Sequence, residues 1–285
     1  INFSFVEVAW EEGPAGNAHP IAVLNPIAAP LAVMRSSLVP SLASVLHYNL
    51  ARRAERVRVF EIGRVYRRDA AVQAGATQVA GVDQPLRIAG LAWGPVDELQ
   101  WGVAERNVDF FDVKGDVQAV LAPLAARWVA AEHPALHPGR SARVEVDGRN
   151  VGWCGELHPR WCRLFDLPRA PMVFELDLEA TLARPVPQAQ PLPKLQSVTR
   201  DVSLRVPSAV AHDALTDAAM ADASGLTRSV RLFDLYTPPA ASGSEAIAER
   251  RMALRIELRD DAQTLTDERI EESLRATLQR LQHTL

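Results

Sequence analysis

Five histidine and cysteine side chains between residues 133 and 162 are of the types that bind zinc. Cys154, His158 and Cys162 follow one another at intervals of four residues, close to the spacing of zinc ligands. The whole set is His133, His137, Cys154, His158 and Cys162. Each of its three histidines precedes a proline, which is typical of turns. We therefore favour turn and core roles and expect no metal site.

An acidic cluster in residues 108–117 (VDFFDVKGDV) is the second candidate. Its charged residues are Asp109, Asp112, Lys114 and Asp116, and paired carboxylates can hold a metal or transfer protons. However, apolar residues at helical spacing begin at Val113, which makes Asp112 a natural helix cap. We favour this structural role over chemistry. The chain contains neither a glycine-rich phosphate loop nor a nucleophile elbow.

Composition narrows the class of protein. The 285 residues are 23% charged and 48% hydrophobic, as in ordinary globular proteins. No apolar run approaches the roughly 18 residues of a membrane span, and two cysteines fit a reducing compartment. We therefore expect a cytoplasmic protein with no membrane partner. The net charge of −4 disfavours binding nucleic acid by bulk electrostatics.

A proline-rich stretch divides the chain. Residues 185–193 read PVPQAQPLP, which suits an extended linker. We predict one domain over residues 1–184 and another over 194–285. Because the chain starts with Ile1 in a strand pattern, we expect it to be the C-terminal part of a longer chain.

The first domain is predicted to be α+β with a mainly antiparallel sheet. Ser36 or Ser37 can cap a helix running to about Arg53. Strand patterns cover 57–67, 86–93 and 172–178. Asp147-Gly148 between two apolar strands is a strong hairpin signal. Sheet and helices together indicate the α+β class.

The second domain is predicted to follow a ferredoxin-like, split βαβ order. Strand patterns at 202–206, 226–236 and 252–258 alternate with helices at 208–224, ended by Gly225, and from Thr266 onward. The fold's last strand is missing. Either it lies beyond this segment or the sheet has three strands.

Alternation predicts that one face of this second sheet is free of helices. Its outward residues would be Ser203, Arg205, Arg255, Glu257 and Arg259. Strand 226–236 is ambiguous, because Val230 and Leu232 share parity with Asp234 and Tyr236. A β-bulge could turn Asp234 and Tyr236 outward.

Several stretches, taken in order, resemble the phenylalanyl-tRNA synthetase β-chain family. NPIAAPLAVMRSSLVPSLASVLHYNLAR (25–52), RVFEIGRVY (58–66), VDFFDVKGDV (108–117) and ALHPGRSA (135–142) carry the resemblance in the first domain. PKLQSVTRDVSL (193–204), VRLFDLY (230–236) and TLTDERI (264–270) carry it in the second. The resemblance spans nearly the whole chain.

The resemblance implies different roles for the two domains and for the α chain. The first domain is similar to a degenerate class II synthetase core without catalytic residues, and the second to an anticodon-binding domain. The family enzyme is an α2β2 heterotetramer that charges tRNA-Phe. Its α chain uses ATP and Mg²⁺, so no cofactor is expected here. The alternative function is a purely structural assembly module that docks the α chain.

The resemblance also implies RNA-contacting residues. It places Asp234 and Tyr236 at the anticodon end of their strand, with Arg200 as a weaker candidate. Where the family has Lys-Ser before the third strand, this chain has Arg250-Arg251. Arg251 could therefore engage phosphate. Arg205 and Arg255 are RNA-contacting candidates because alternation places them on the free face of the sheet. In the structural alternative, Asp234 caps a turn and Tyr236 packs beneath the following loop, 237–249, which is longer than the family's.

Class II activation uses an Arg-x-Glu strand motif and a second arginine in a glycine-rich motif. The strand FEIGR (60–64) has the opposite Glu–Arg order, and nothing matches the second motif. Glu61, Arg64 and Arg67 are therefore interpreted as structural polar groups of a sheet near a subunit interface, with a direct role towards the α chain's active site as the alternative.

Overall fold

The computed structural model describes residues 3–189, 191–238 and 249–285. The chain forms two compact units, Ile1–Val186 and Pro187–Leu285. Ile1 and Asn2, Gln190 of the proline-rich stretch and most of the loop 237–249 lie outside the described residues. The rest of that proline-rich stretch is neither helix nor strand.

The first unit is built on strands and short helices. Its strands are β1 (Phe5–Val6), β2 (Ile21–Ala22), β3 (Val33–Met34), β4 (Val57–Arg64), β5 (Arg67–Arg68), β6 (Val82–Asp83), β7 (Leu86–Trp93), β8 (Ala126–Ala130), β9 (Leu136–Val146), β10 (Arg149–Leu157) and β11 (Met172–Asp177). Its helices are α1 (Val8–Glu12), α2 (Val39–Leu50), α3 (Phe110–Leu121), α4 (Pro159–Leu164) and α5 (Leu178–Leu182), with a 3₁₀ turn at Ala29–Leu31.

Six of these strands form one antiparallel sheet in the order β4-β7-β11-β10-β9-β8. Its central strands are buried on both faces. In β7, Ala89 and Leu91 pack into the cluster that contains helix α2. Ile88 and Ala92 pack into the cluster that contains helix α3. The predicted mainly antiparallel α+β architecture is confirmed.

The hairpin predicted at Asp147-Gly148 joins β9 to β10. Both turn residues have positive φ, 50° for Asp147 and 75° for Gly148, as a type I′ turn requires. Val146 pairs directly with Arg149 across it. The pair of turn residues thus fixes the register of the two strands, and this prediction is confirmed.

Ser37, one of the two predicted capping serines, lies just before helix α2 and next to the N-cap residue Leu38. Its oxygen accepts from the Val39 N–H at 3.2 Å. Its hydroxyl also donates to Glu175 Oε2 at 2.6 Å, and the Leu38 N–H donates to the same oxygen at 2.9 Å. Ser37 therefore caps the helix as predicted, and a buried carboxylate from β11 adds a second acceptor that the local sequence does not indicate.

Helix α3 is capped by Asp109, and the cap predicted at Asp112 is wrong. The Asp109 side chain accepts from the N–H groups of Phe111 and Asp112. Asp112 closes a capping box by accepting from the Asp109 N–H at 2.8 Å. The predicted apolar stripe is otherwise in place, because Val113, Val117 and Leu121 are buried.

Asp109→Ala is expected to lower the free energy of unfolding by about 0.5–2 kcal/mol, because two helix N–H groups lose their acceptor. Urea unfolding measured by tryptophan fluorescence would show it. Asp97→Ala is the control: Asp97 is exposed and, among the described residues, accepts no hydrogen bond. Equal losses for the two variants would contradict the capping role.

The second unit contains three strands and two helices among its described residues. They are β12 (Val198–Pro207), α6 (His212–Met220), β13 (Thr227–Tyr236), β14 (Glu249–Leu258) and α7 (Asp267–Thr284). The strands are antiparallel in the order β12-β14-β13. The predicted ferredoxin-like order of elements is confirmed. In the part of the chain that the structure describes, this sheet has three strands.

Both helices pack on one face of this sheet. Leu204, Met252 and Leu254 form a core with Leu215 of α6 and Leu281 of α7. Helix α7 begins after Thr266, whose side chain accepts from the Arg269 N–H as predicted. Helix α6 is shorter than predicted, and Gly225 (φ 67°) lies in the turn before β13 instead of ending the helix.

Candidate nucleic-acid interface

The face of the second sheet opposite its helices is open among the described residues. Burial alternates along β14, where Met252, Leu254 and Ile256 are buried while Arg251 and Arg255 are exposed. On β12 the same alternation exposes Ser203 and Arg205. Because the odd-numbered residues of these strands avoid the helices, they form a polar surface with which a ligand could make contact.

A β-bulge in β13 brings Asp234 and Tyr236 to this open face. Leu232 pairs with the buried Leu254, yet Asp234 pairs with Ala253 and Tyr236 with Arg251. Phe233 is the extra residue between these pairs, so alternation shifts by one position from there on. The bulge predicted from the sequence is present.

Cross-strand pairing sets the neighbours of these two side chains. Tyr236 lies opposite Arg251, and Arg251 lies opposite Arg205 on its other side. The next row contains Asp234, Ala253 and Ser203. The two rows border an open depression, which is lined by Ser203, Asp234, Leu235, Tyr236, Pro238, Arg251 and Ala253. An aromatic ring, a carboxylate and a guanidinium thus surround one space.

Ion pairs separate the arginines of this face into two groups. Arg205 is paired with Glu249 at 2.9 Å, and Arg255 with Asp201 at 2.8 Å. Within the described part of the chain, the Arg251 side chain makes no ion pair or hydrogen bond. Arg251 is therefore the guanidinium of this depression that can meet an anion without giving up a partner.

Asp234 and Tyr236 are likewise unpartnered within the described part of the chain. Tyr236 is 51% exposed, which is unusual for an aromatic ring that serves only to fill a core. The Asp234 carboxylate caps no turn among the described residues. The depression therefore offers a stacking surface beside a free hydrogen-bond acceptor, the two features with which proteins recognise unpaired bases.

Two other predicted arginines lie away from this depression. Arg200 pairs with the buried Ile256, so it has the parity of the helix-covered face, and its guanidinium donates to the Thr199 carbonyl at 3.0 Å. Arg259 follows the end of β14 and is bound to Asp261 at 2.8 Å. The structure thus groups Arg251 and Arg205 with Asp234 and Tyr236, and Arg255 lies further along the same face.

Sequence reasoning missed Phe233, which is 51% exposed at the bulge. Its ring lies against Arg255, with the guanidinium carbon 4.9 Å from the ring centroid. The available signal was the break in alternation at Phe233-Asp234, where an apolar residue takes a position that should be polar. A bulge leaves this extra residue unpaired with the neighbouring strand.

The zinc-type residues of the first unit have local roles. The Nδ1 atoms of His133, His137 and His158 each accept from the backbone N–H two residues later, at 3.0–3.2 Å. Burial raises the pKa of the Cys154 thiol to about 12 and that of Cys162 to about 11. Among the described residues, no three His, Cys, Asp or Glu side chains are arranged to hold a metal ion.

The carboxylates of the acidic cluster also make structural contacts. Asp109 caps α3, Asp112 is bound by both Nη atoms of Arg106 at 2.6 and 2.7 Å, and Asp116 is paired with Arg58 at 2.6 Å. The pKa of the Asp112 carboxyl is lowered by the hydrogen bond from Arg106. These carboxylates therefore stabilise a helix start and its surroundings.

The polar groups of β4 and β5 are engaged with neighbouring segments. Glu61 is paired with the buried Arg35 at 2.5 Å. Arg64 donates to the Gln84 carbonyl at 2.7 Å, and Arg67 to the Ser36 carbonyl at 3.2 Å. Glu61, Arg64 and Arg67 therefore each bind a neighbouring segment of the same unit.

Among the described residues, no helix combines the length and apolar character needed to cross a membrane.

Two family models match the chain. The model of the phenylalanyl tRNA synthetase beta chain CLM domain matches residues 1–178, and that of the ferredoxin-fold anticodon binding domain matches residues 193–285.

Similar proteins share both units. The chain is 50% identical to a phenylalanine–tRNA ligase beta subunit of Burkholderia lata over 286 aligned positions, which cover 99% of this chain and 35% of that protein. It is 51% identical to the beta subunit of Ralstonia nicotianae (95% and 34% covered) and 43% identical to that of Bordetella pertussis (95% and 34%). The chain spans about a third of the length of these relatives.

Proposed function

The chain belongs to the phenylalanyl-tRNA synthetase β-chain family, and from this premise we propose that it is the non-catalytic part of a phenylalanine–tRNA ligase that binds the anticodon region of tRNA-Phe. It works in the cytoplasm, within an α2β2 heterotetramer. The observation that carries the proposal is the bulge in β13, which presents Asp234 and Tyr236 beside the unpaired Arg251 on an open sheet face.

Each side chain of the depression suits one part of an unpaired nucleotide. The Tyr236 ring stacks a base, because every base has a π-face that an aromatic ring can cover. The Asp234 carboxylate accepts a hydrogen bond from the edge of guanine. Arg251 engages phosphate, while Arg205 and Arg255 flank it on the same face. Arg200, exposed near the start of β12, serves only as a peripheral phosphate contact.

The first unit supports the α chain and performs no chemistry in this proposal. ATP and Mg²⁺ act in the α chain, as the resemblance to the family implies. In this chain Glu61, Arg64 and Arg67 make internal contacts. The edge strand β4 exposes Phe60 (71%) and Ile62 (44%), apolar groups that suit a protein partner. Retention of the α chain by immobilised residues 1–184 tests this role, with residues 194–285 as the negative control.

A titration against tRNA-Phe tests the anticodon role. Transcripts with the native anticodon and with G34 replaced are compared at two salt concentrations, using the chain and the assembled enzyme. We expect the G34 change to weaken binding. Two arginines of the described open face, Arg231 and Arg251, make no ion pair within the described residues, and Arg200 adds a peripheral contact. For the chain alone, log K should therefore fall with log[salt] at a slope of only about −1.4 to −2.1.

The second domain carries 12 Lys and Arg against 14 Asp and Glu over residues 191–285, a net charge of −2. A steep salt slope with no dependence on G34 is therefore the result opposed to the proposal. It would mean that the chain meets RNA through its general charge, and that its main contribution is assembly.

A further inference from the structure

Phe233 and Arg255 form a second aromatic and cationic surface on the open face. Phe233 is the unpaired residue of the bulge, and about half of its side chain is exposed. The Arg255 guanidinium carbon lies 4.9 Å from its ring centroid, a distance typical of cation–π contact. A flat ring and a flat guanidinium therefore lie together at the surface, as in sites that stack nucleic-acid bases.

Asp201 holds the Arg255 guanidinium in place. Arg255 donates from Nε and Nη2 to the two carboxylate oxygens of Asp201, both at 2.8 Å. This bidentate geometry fixes the plane of the guanidinium, which a single contact would leave free to rotate. The same hydrogen bond lowers the pKa of the Asp201 carboxyl, so the pair remains charged near neutral pH.

This surface is separate from the depression at Tyr236. Phe233 and Tyr236 are three positions apart, and at a strand rise of about 3.4 Å per residue their Cα atoms are roughly 10 Å apart. Successive stacked bases are only about 3.4 Å apart along a strand. One base cannot cover both rings, so two rings on this face imply two splayed bases.

The surroundings of Phe233 suit a nucleotide with its phosphate. Arg231 lies directly opposite Arg255, and it is exposed. Within the described residues it has no ion pair or hydrogen bond. Asp201 neutralises Arg255, and Glu257 interacts electrostatically with Arg231. Arg231 is the arginine of this row whose guanidinium has no direct partner within the described residues, so it can contact a phosphate.

We propose that Phe233 and Arg255, positioned by Asp201, form a stacking platform for a second unpaired base of the anticodon loop, adjacent to the base that Tyr236 stacks. This inference rests on the proposed anticodon-binding function and adds a subsite to it. Phe233 and Arg255 touch the base, whereas Asp201 acts through Arg255.

The test uses the assembled ligase and anticodon stem-loops of tRNA-Phe in which one loop nucleotide at a time lacks its base. Phe233→Leu keeps apolar bulk at the bulge and removes the aromatic face. We expect the Kd for the intact stem-loop to rise about 5- to 30-fold, in the lower part of the range for loss of one stacked base. Phe233→Trp should restore tight binding.

The base that Phe233 stacks is identified by measuring each protein variant against each abasic stem-loop. At one loop position, removal of the base should make wild-type and Phe233→Leu enzymes bind equally, and this position should differ from the one coupled to Tyr236→Leu. Asp201→Asn alone should raise the Kd less than Phe233→Leu does. The double variant Asp201→Asn/Phe233→Leu should bind as Phe233→Leu does. Phe111→Leu, the same change at an exposed phenylalanine of the first unit, is the control for general effects.

Three results would overturn the platform. In the first, Phe233→Leu binds like wild type while Tyr236→Leu is weakened. In the second, Phe233→Leu is weakened equally for every abasic stem-loop, which would assign Phe233 a role in shaping the strand. In the third, neither variant changes binding, which would remove the proposed anticodon function together with this inference.

Discussion

Tyr236→Ala in the assembled ligase is expected to raise the Kd for tRNA-Phe by about 5- to 150-fold, which is the effect of losing one base–aromatic stack. The reason is structural. The bulge at Phe233 places Tyr236 opposite Arg251 on the open face, where about half of the residue is exposed. Filter binding or fluorescence anisotropy with labelled tRNA would measure the change.

A matched substitution separates stacking from the hydroxyl group. Tyr236→Phe keeps the ring and should retain most of the affinity, because the hydroxyl has no partner within the described residues. If Tyr236→Phe binds tRNA-Phe as weakly as Tyr236→Ala does, the hydroxyl group makes the important contact and base stacking does not. If both variants bind like wild type, this face of the sheet is not where the anticodon lies.

Local signals predicted those parts of the fold that depend on a few neighbouring residues. Asp147-Gly148 fixed the hairpin because both positions need positive φ. Thr266 fixed the start of α7 because its oxygen reaches an N–H three residues away. In both cases the competing alternatives lie within the same turn, so no distant residue decides the outcome.

Local reasoning gives only part of the start of helix α2. The Ser37 oxygen accepts from the Val39 N–H, as a local cap does, but its hydroxyl donates to Glu175, which lies 138 positions further along the chain. Burial raises the pKa of the Glu175 carboxyl. The hydrogen bonds that this carboxylate accepts from the Ser37 hydroxyl and the Leu38 N–H offset part of the cost of burying it. No window of neighbouring residues contains that information.

The candidate site falls between these two cases. Alternation predicted the open face, and the parity conflict at Asp234 predicted the bulge. The sequence could not identify which arginines are free, because the partners of Arg205 and Arg255 are on other strands. It also could not reveal Phe233, since an apolar residue in a strand is ordinarily assigned to the core.

Glu61→Gln is expected to lower the free energy of unfolding of the first unit by about 3–5 kcal/mol, the cost of leaving one partner of a buried ion pair uncompensated. Arg35 is only 2% exposed, and its guanidinium donates to Glu61 at 2.5 Å and to the Arg64 carbonyl at 3.0 Å. With a neutral amide in place of the Glu61 carboxylate, the buried positive charge would remain while its counter-charge is gone.

Tryptophan fluorescence during urea unfolding measures this effect cleanly. All six tryptophans lie between residues 10 and 161, so the signal reports only on the first unit. For a unit of this size, the expected loss corresponds to a fall in Tm of roughly 6–20 °C.

Glu156→Gln provides the matched control, because its carboxylate is as buried as that of Glu61 while its partner is exposed. The Glu156 side chain is 13% exposed, as is that of Glu61, and its partner Arg140 lies at 2.7 Å. Arg140, however, is 62% exposed, so water can solvate its charge once the carboxylate is removed. The control should therefore cost no more than about 1 kcal/mol. Equal losses in the two variants would show that burial of the arginine does not set the strength of the Arg35–Glu61 pair.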